Sequence, residues 1–425
     1  MYDWANSAHS LVITSTVFPV YYSAVTDSDK GASVDFFGWN IIAASLFSYA
    51  IAAAYLLVAL LSPPFASVAD YAGTKKGFMR AFCYLGCLAC AALFFFNGEN
   101  VEWGIIAFAI SIYGYAGSLV YYNAFLPEIA AEKDQDRVSA KGFALGYIGS
   151  VILQIALFVV LIKKEWFGIA DDKLPAQISF LVVGLWWFVF ATYSLYYLPK
   201  NVFNRKPTGR IFLNGYHELM KVMKQIRQFP RMLTFLIAFF FYIMATETVM
   251  FLAALFGSEE LKLEANQLII TVLIIQLVAI GGAYLFAKIS QHLGNVSAIA
   301  ISIFIWIGIC VAAYFVETAV QFYCVAFAVG MVMGGIQSLS RSTYSKMLPE
   351  TQDTASFFSF YDVANKLALV IGTTTFGIIV QQTGNMRKPI IALIAFFIIG
   401  LVLLMILRRQ LIRDKANALL GEEIV

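Results

Sequence analysis

Phe357-Phe358-Ser359-Phe360-Tyr361-Asp362-Val363-Ala364-Asn365-Lys366-Leu367-Ala368-Leu369-Val370 opens a run that stays apolar as far as Gln381. At about 1.5 Å per residue, a helix of this length crosses a bilayer. The run nevertheless carries Asp362 and Lys366, four residues apart and therefore on one helix face. Each charge costs roughly 2.5 to 3.5 kcal/mol at a bilayer centre, so neither side chain faces lipid. The pair must look into a protein interior or a water-filled cavity, which requires many partner helices. Two readings stay open here: a static ion pair that sets helix orientation, or a gate or binding group on a solute path.

The rest of the chain supplies those partners. Of 425 residues, 60% are hydrophobic and 13% charged, with a mean hydropathy of +0.77. Soluble domains are about 45 to 50% apolar, so this is an integral membrane protein. A net charge of +3, spread between apolar runs, gives no basic footprint for nucleic acid. Five cysteines and three scattered histidines make neither a disulfide framework nor a metal cluster, and no cofactor site is visible. Cys83, Cys87 and Cys90 have iron-sulfur-like spacing but form a stripe on one apolar helix, and read as packing residues. Asp27-Ser28-Asp29-Lys30-Gly31 imitates a calcium loop, but its glycine comes one position early.

Apolar runs of about 20 residues recur twelve times, near 4–24, 43–68, 77–96, 102–125, 140–162, 178–198, 231–256, 266–288, 296–316, 319–340, 357–381 and 389–407. In lipid each must be a helix, because an open strand leaves its backbone unsatisfied. Of the 29 basic residues, 21 fall in the even-numbered loops and the tail, Arg341 and Lys346 among them, and 7 in the odd loops. Both termini are therefore expected in the cytoplasm. The first span shows no cleavage site and reads as uncleaved; its abrupt start leaves room for a natural start a few residues upstream.

The longest link, basic and partly amphipathic around Tyr216–Lys224, could lie on the inner leaflet. It divides the chain into an N-terminal half, 1–198, a linker, 199–230, and a C-terminal half, 231–425. Two internal matches support that division. Phe65–Gly73 aligns with Phe286–Gly294, and Leu126-Pro127-Glu128 recurs as Leu348-Pro349-Glu350. Both offsets are about 221 residues, as duplicated six-helix halves would give.

Twelve spans, duplicated halves, a basic central loop and Asp70-Tyr71-Ala72-Gly73-Thr74-Lys75-Lys76 after the second span together resemble the major facilitator superfamily. More specifically, Tyr2-Asp3-Trp4-Ala5-Asn6-Ser7-Ala8 with Phe18-Pro19, Gly142–Gly149 and Tyr361–Lys366 resemble the autophagy-related vacuole effluxer family and its bacterial relatives, the unknown major facilitator family. The resemblance implies an all-α membrane protein with twelve transmembrane helices in two pseudo-symmetric six-helix halves. It implies secondary active transport of a small solute by alternating access, with amino-acid efflux as the leading expectation because fungal members export amino acids from the vacuole. Proton coupling, a monomer and residence in the plasma (inner) membrane follow as further expectations. A sugar, nucleoside or drug as the solute, or a sensor that does not transport, stay open as alternatives. An intramembrane enzyme is disfavoured by the lack of clustered histidines, a phosphate cradle or a nucleophile paired with a base.

Candidates for the solute or ion path are the polar residues inside spans: Asp362, Lys366, Glu247, Asn6, Asn123, Gln337, Gln154 and Asn365. Glu247 could carry a coupling proton, and Asp3 is expected to cap or gate the first span. The loop residues Asp70, Gly73, Lys75 and Lys76 are candidates for a cytoplasmic gate. Gly142, Gly146 and Gly149, like Gly330 and Gly334, read as helix-packing faces. Pro19, Pro63 and Pro64 are expected to kink or end their helices.

Overall fold

The computed structural model describes residues 1–26, 32–200 and 211–422. Asp27–Gly31, the calcium-loop imitation, therefore lies outside the described residues, as do the linker residues 201–210. Among the described residues, eleven helices are long and apolar enough to span a membrane. The first span joins them as a composite: α1 (Tyr2–Ala8), a π-helical segment (His9–Val17) and α2 (Phe18–Thr26), continuous in sequence. Within the wide segment, Thr16 Oγ1 donates to Leu11 O at 2.9 Å and Ser15 Oγ to Ser10 O at 2.9 Å, both reaching back five residues. Pro19 follows directly; it has no N–H, and its ring needs room at the carbonyl four residues back.

The remaining spans are α3 (Ala43–Tyr71), α4 (Lys75–Ala92), α5 (Val101–Ala124), α7 (Gln135–Ile162) and α8 (Leu174–Tyr197), then α10 (Pro230–Glu259), α11 (Ala265–Leu293), α12 (Asn295–Tyr314), α13 (Ala319–Lys346), α14 (Thr354–Thr383) and α15 (Lys388–Glu422). Short α6 (Leu126–Ile129) and linker helix α9 (Ile211–Gln228) complete the set. Pro63 and Pro64 neither end nor break α3, which runs through both. Their lost donors fall in a lipid-length helix, where neighbouring groups can satisfy the freed carbonyls. A hairpin pairs β1 (Ser33–Phe36) with β2 (Trp39–Ile42). Its two turn residues, Phe37 at φ 53° and Gly38 at φ 81°, take the left-handed conformation that a two-residue primed turn requires.

The chain forms two compact units, Met1–Phe125 with Leu145–Glu218, and Leu126–Ala144 with Leu219–Val425. Each repeats the other's internal packing. In the first, α3 packs on α5, α4 on α5 and α8, and α1 on α8; in the second, α11 packs on α13, α12 on α13 and α15, and α10 on α15. Close approach depends on glycine. A Cβ on Gly114 would lie 2.5 Å from Gly86 Cα, and one on Gly334 would lie 2.3 Å from Ala279 O, so these helices touch backbone to backbone. Cys83, Cys87 and Cys90 are buried free thiols within the first unit, as small packing residues should be.

The core of the first unit is aromatic. Phe18 stacks on Phe108 with centroids 4.1 Å apart, and Phe47, Phe96 and Phe180 surround it. Tyr21 and Tyr22 enter this cluster with their hydroxyls satisfied by the carbonyls of Phe96 at 2.6 Å and Ala43 at 3.0 Å.

The amphipathic helix α9 buries Val222 and Ile226 while Lys221, Lys224 and Arg227 stay exposed. Asn214 donates to the Tyr71 hydroxyl at 2.8 Å, and Lys221 lies 4.0 Å from Asp353. Val222 and Ile226 are thus covered by protein, whereas Leu213, Tyr216 and Met220 stay exposed.

Candidate functional site

In the second unit, five of the polar candidates meet. Asp362 and Lys366 share a face of α14, with Nζ 3.3 Å from Oδ1 and both side chains under 10% exposed. Glu247, partly buried on α10, is hydrogen-bonded by Gln337 of α13 and Asn365 of α14, and lies in the field of Lys366. Gly372 makes this possible: a Cβ there would sit 2.1 Å from Thr248 Oγ1, so α14 lies directly on α10. Asp362 Oδ2 is buried without a hydrogen-bond partner among the described residues. An acceptor held that way costs about 1 to 3 kcal/mol until a donor arrives.

An aromatic wall adjoins the cluster. Tyr361, next to Asp362, stacks on Phe239 at 4.2 Å and on Tyr344 at 5.1 Å. Tyr242 exchanges a 2.7 Å hydrogen bond with Ser340, and Tyr344 donates to Phe357 O at 2.7 Å. None of these aromatics was distinguishable in sequence among 22 tyrosines and 38 phenylalanines.

The first unit holds the other candidates, and they do not assemble in the same way. Asp3 accepts a short hydrogen bond from Tyr122, while Trp4 stacks on Trp186 at 5.6 Å and accepts from its indole at 3.2 Å. Gly146 and Gly149 of α7 admit this segment: a Cβ would lie 2.5 Å from Ser7 Oγ or 2.9 Å from Trp4 O. Asn6 Oδ1 accepts from Ser7 at 3.5 Å, and its Nδ2 is unpartnered among the described residues. Gln154 is fully buried with both amide atoms unpartnered among the described residues, and Asn123 is half-buried in the last turn of α5. His9 sits between Tyr115 and Trp187, at 5.1 and 5.3 Å. Ser111 commits its proton to Phe108 O at 2.8 Å, so His9 donates to Ser111 from Nε2 at 3.0 Å and Nδ1 is left bare.

The loop after α3 is built from helix ends. Gly73 takes φ 64° as the chain turns, and Asp70 is buried one residue before the end of α3. Lys75 donates to Ala124 O at 3.4 Å and covers the Phe125 ring, whereas Lys76 donates to Leu198 O at 2.6 Å. Both cations thereby sit at the carbonyl ends of α5 and α8, where the helix dipole favours them.

Some cations assigned to loops from sequence lie in helices, Lys346 and Arg341 of α13 among them. Arg341, assigned to a loop from sequence, lies inside α13 and is buried, donating to Ser139 Oγ at 2.9 Å and Ser139 O at 3.0 Å over the Phe143 ring. The apolar run ended too early because Ser338-Leu339-Ser340-Arg341-Ser342-Thr343-Tyr344-Ser345 is polar in composition, yet the hydroxyls of Ser338, Ser340 and Ser342 satisfy helix carbonyls. Nearby, Asp136 accepts from Lys346 at 2.7 Å, Asn295 at 2.7 Å and Ser290 at 3.1 Å, and Glu128 accepts from Thr354 at 3.1 Å. Segment Leu126–Ala144 is thereby held within the second unit.

A family model, vacuole effluxer Atg22 like, matches residues 1–417. The chain belongs to the Atg22-like family. Among its relatives, an uncharacterized MFS-type transporter of Bacillus subtilis, YxiO, is 33% identical over 95% of this chain and 92% of its own. Autophagy-related protein 22-2 of Aspergillus niger is 25% identical over 89% of this chain and 77% of its own. The E. coli fucose:proton symporter FucP shares the fold at a TM-score of 0.69 and 14% identity, covering 96% of this chain and 95% of that one. A bacterial homologue of the iron transporter ferroportin does so at 0.64 and 12%, covering 96% of each. The Atg22-like chain is thus a multi-pass major facilitator transporter with twelve membrane-spanning helices.

Proposed function

We propose that this transporter exports amino acids, and that the second-unit cluster binds the backbone of the zwitterion. The carrying observation is Asp362 Oδ2, a buried acceptor with no donor, beside the ammonium of Lys366. An amino acid carries both complementary charges: its ammonium meets Asp362 and Glu247, and its carboxylate meets Lys366. The Tyr361 ring and the Gln337 and Asn365 amides flank the same place and suit a small, partly apolar solute. Family membership supports export, since the family description is that of an effluxer.

Transport then proceeds by alternating access of two six-helix halves, with both termini in the cytoplasm and no covalent step. Proton exchange at Glu247 couples it to a gradient: the carboxylate holds either the solute ammonium or a proton.

The test uses liposomes loaded with a mixed pool of amino acids, sugars and nucleosides under a pH gradient, with released solutes identified by mass spectrometry. Amino acids should leave selectively, and Asp362→Asn should abolish their release while the protein still folds. Selective release of sugars or nucleosides would overturn the amino-acid reading; no release of any solute would favour a sensor. Glu247→Gln should keep exchange but lose accumulation against a gradient, and unchanged accumulation removes Glu247 from coupling.

A further inference from the structure

A cavity in the second unit is lined by none of the residues of the Glu247 cluster. Its volume is about 500 Å³, and Gly294, Asn295, Val296, Ser297, Thr343, Lys346 and Arg408 line it, with Met347, Leu411 and Ile412 as apolar wall and Glu132 at its edge. Three features converge on an anion. The first is the N-terminus of the 20-residue α12: Gly294, at φ 79°, offers no capping side chain, so the first N–H groups point outward under the positive end of the helix dipole. The second is a pair of cations on different helices, Lys346 from α13 and Arg408 from α15. The third is Thr343, a lining residue only 3% exposed, whose Oγ1 has no hydrogen-bond partner among the described residues. Solvent would satisfy an exposed hydroxyl; a buried one waits for a ligand acceptor.

We infer that this cavity binds a phosphate group. Donors in that arrangement match a tetrahedral anion: backbone N–H groups, a hydroxyl, a forked guanidinium and an ammonium. Glu132 disfavours a second negative charge at the edge, so a phosphodiester, with one charge, fits better than a free dianion. Leu411, Ile412 and Met347 then receive the apolar part of the ligand, which is the chemistry of an anionic phospholipid from the leaflet at that end of the helices. Lys346 and Asn295 also hold Asp136, so occupancy of the cavity and the hold on the start of α7 are linked.

The full-length protein, purified in detergent, is titrated with phosphatidylglycerol and separately with inorganic phosphate, and occupancy is read by native mass spectrometry. Arg408→Gln should weaken phosphatidylglycerol binding about tenfold and Thr343→Val by several-fold, while Arg409→Gln, which alters a residue outside the cavity lining, leaves it unchanged. Displacement of the lipid by millimolar phosphate would keep the site and assign it to a soluble phosphate. Binding that is equal in all four proteins, or lost equally in Arg409→Gln, overturns the proposal. Thermal denaturation of each variant in the same detergent separates lost binding from lost folding.

Discussion

Removing the Asp136 carboxylate should free the start of α7. The side chain is 6% exposed and accepts from three donors, one of them the Lys346 ammonium at 2.7 Å, itself 20% exposed. Breaking a fully buried ion pair costs about 3 to 5 kcal/mol, because the surviving charge is left unpaired. The partial exposure of Lys346 lowers this to about 2 to 4 kcal/mol, since water can reach the stranded ammonium. At 1.36 kcal/mol per decade, the open population of the segment rises from about 30-fold to several hundredfold. Trypsin reads that population: the Arg137 side chain is exposed but its backbone is helical, so cleavage after it requires local unwinding. Asp136→Ala should therefore accelerate cleavage after Arg137 by that factor, and Asp136→Ala with Lys346→Met should recover much of the protection. A rate within twofold of the parent, or no recovery in the double variant, would refute the assignment of Asp136 as the group that holds this segment.

Adjacent glycines give a second contrast. A Cβ on Gly282 would sit 2.1 Å from Met331 O, whereas one on Gly281 meets nothing within 4 Å. Gly282→Ala should lose about 1 to 3 kcal/mol in thermal denaturation, while Gly281→Ala should gain up to about 1 kcal/mol from helix propensity. Arg387 forks onto Glu260 at 2.7 Å, Tyr314 O at 2.6 Å and Val316 O at 2.8 Å, so Arg387→Lys should lower the melting temperature, since an ammonium cannot copy that fork. Tyr122→Phe should shorten the half-life at elevated temperature, because it strips a charge-assisted hydrogen bond from Asp3, worth about 1.5 to 3 kcal/mol. Asp172 is held below the usual carboxylate range by Lys164, so the pair contributes above the unfolded pKa and fades as pH falls through the folded one. Both the pair's acid and its loop are exposed, and Asp172→Asn should leave the melting temperature unmoved.

Much of the fold was legible in sequence because lipid removes alternatives. A run of about 20 apolar residues has no stable state in a bilayer except a helix, so all twelve spans could be located without reference to one another. The repeat at an offset of about 221 residues likewise survives as local chemistry, Leu126-Pro127-Glu128 beside Leu348-Pro349-Glu350. Composition misplaced Arg341, since a buried arginine inside a serine-rich helix looks like a loop when only composition is read.

Tertiary structure alone decided which polar residues meet. In water an amphipathic pattern marks the buried face of a helix; in lipid both faces are apolar, and periodicity no longer says which side looks inward. Gln337 and Asn365 lie 90 and 118 positions beyond Glu247 in the chain, and the close approach at Gly372 together with the Phe239–Tyr361 stack sets α14 on α10. Asn6 and Gln154 had the same credentials in sequence and remain without such partners. The capture of Leu126–Ala144 by the second unit depends on hydrogen bonds between distant segments. Sequence determined the helices because each is a local response to lipid, and structure decided the site because a site is a set of contacts between them.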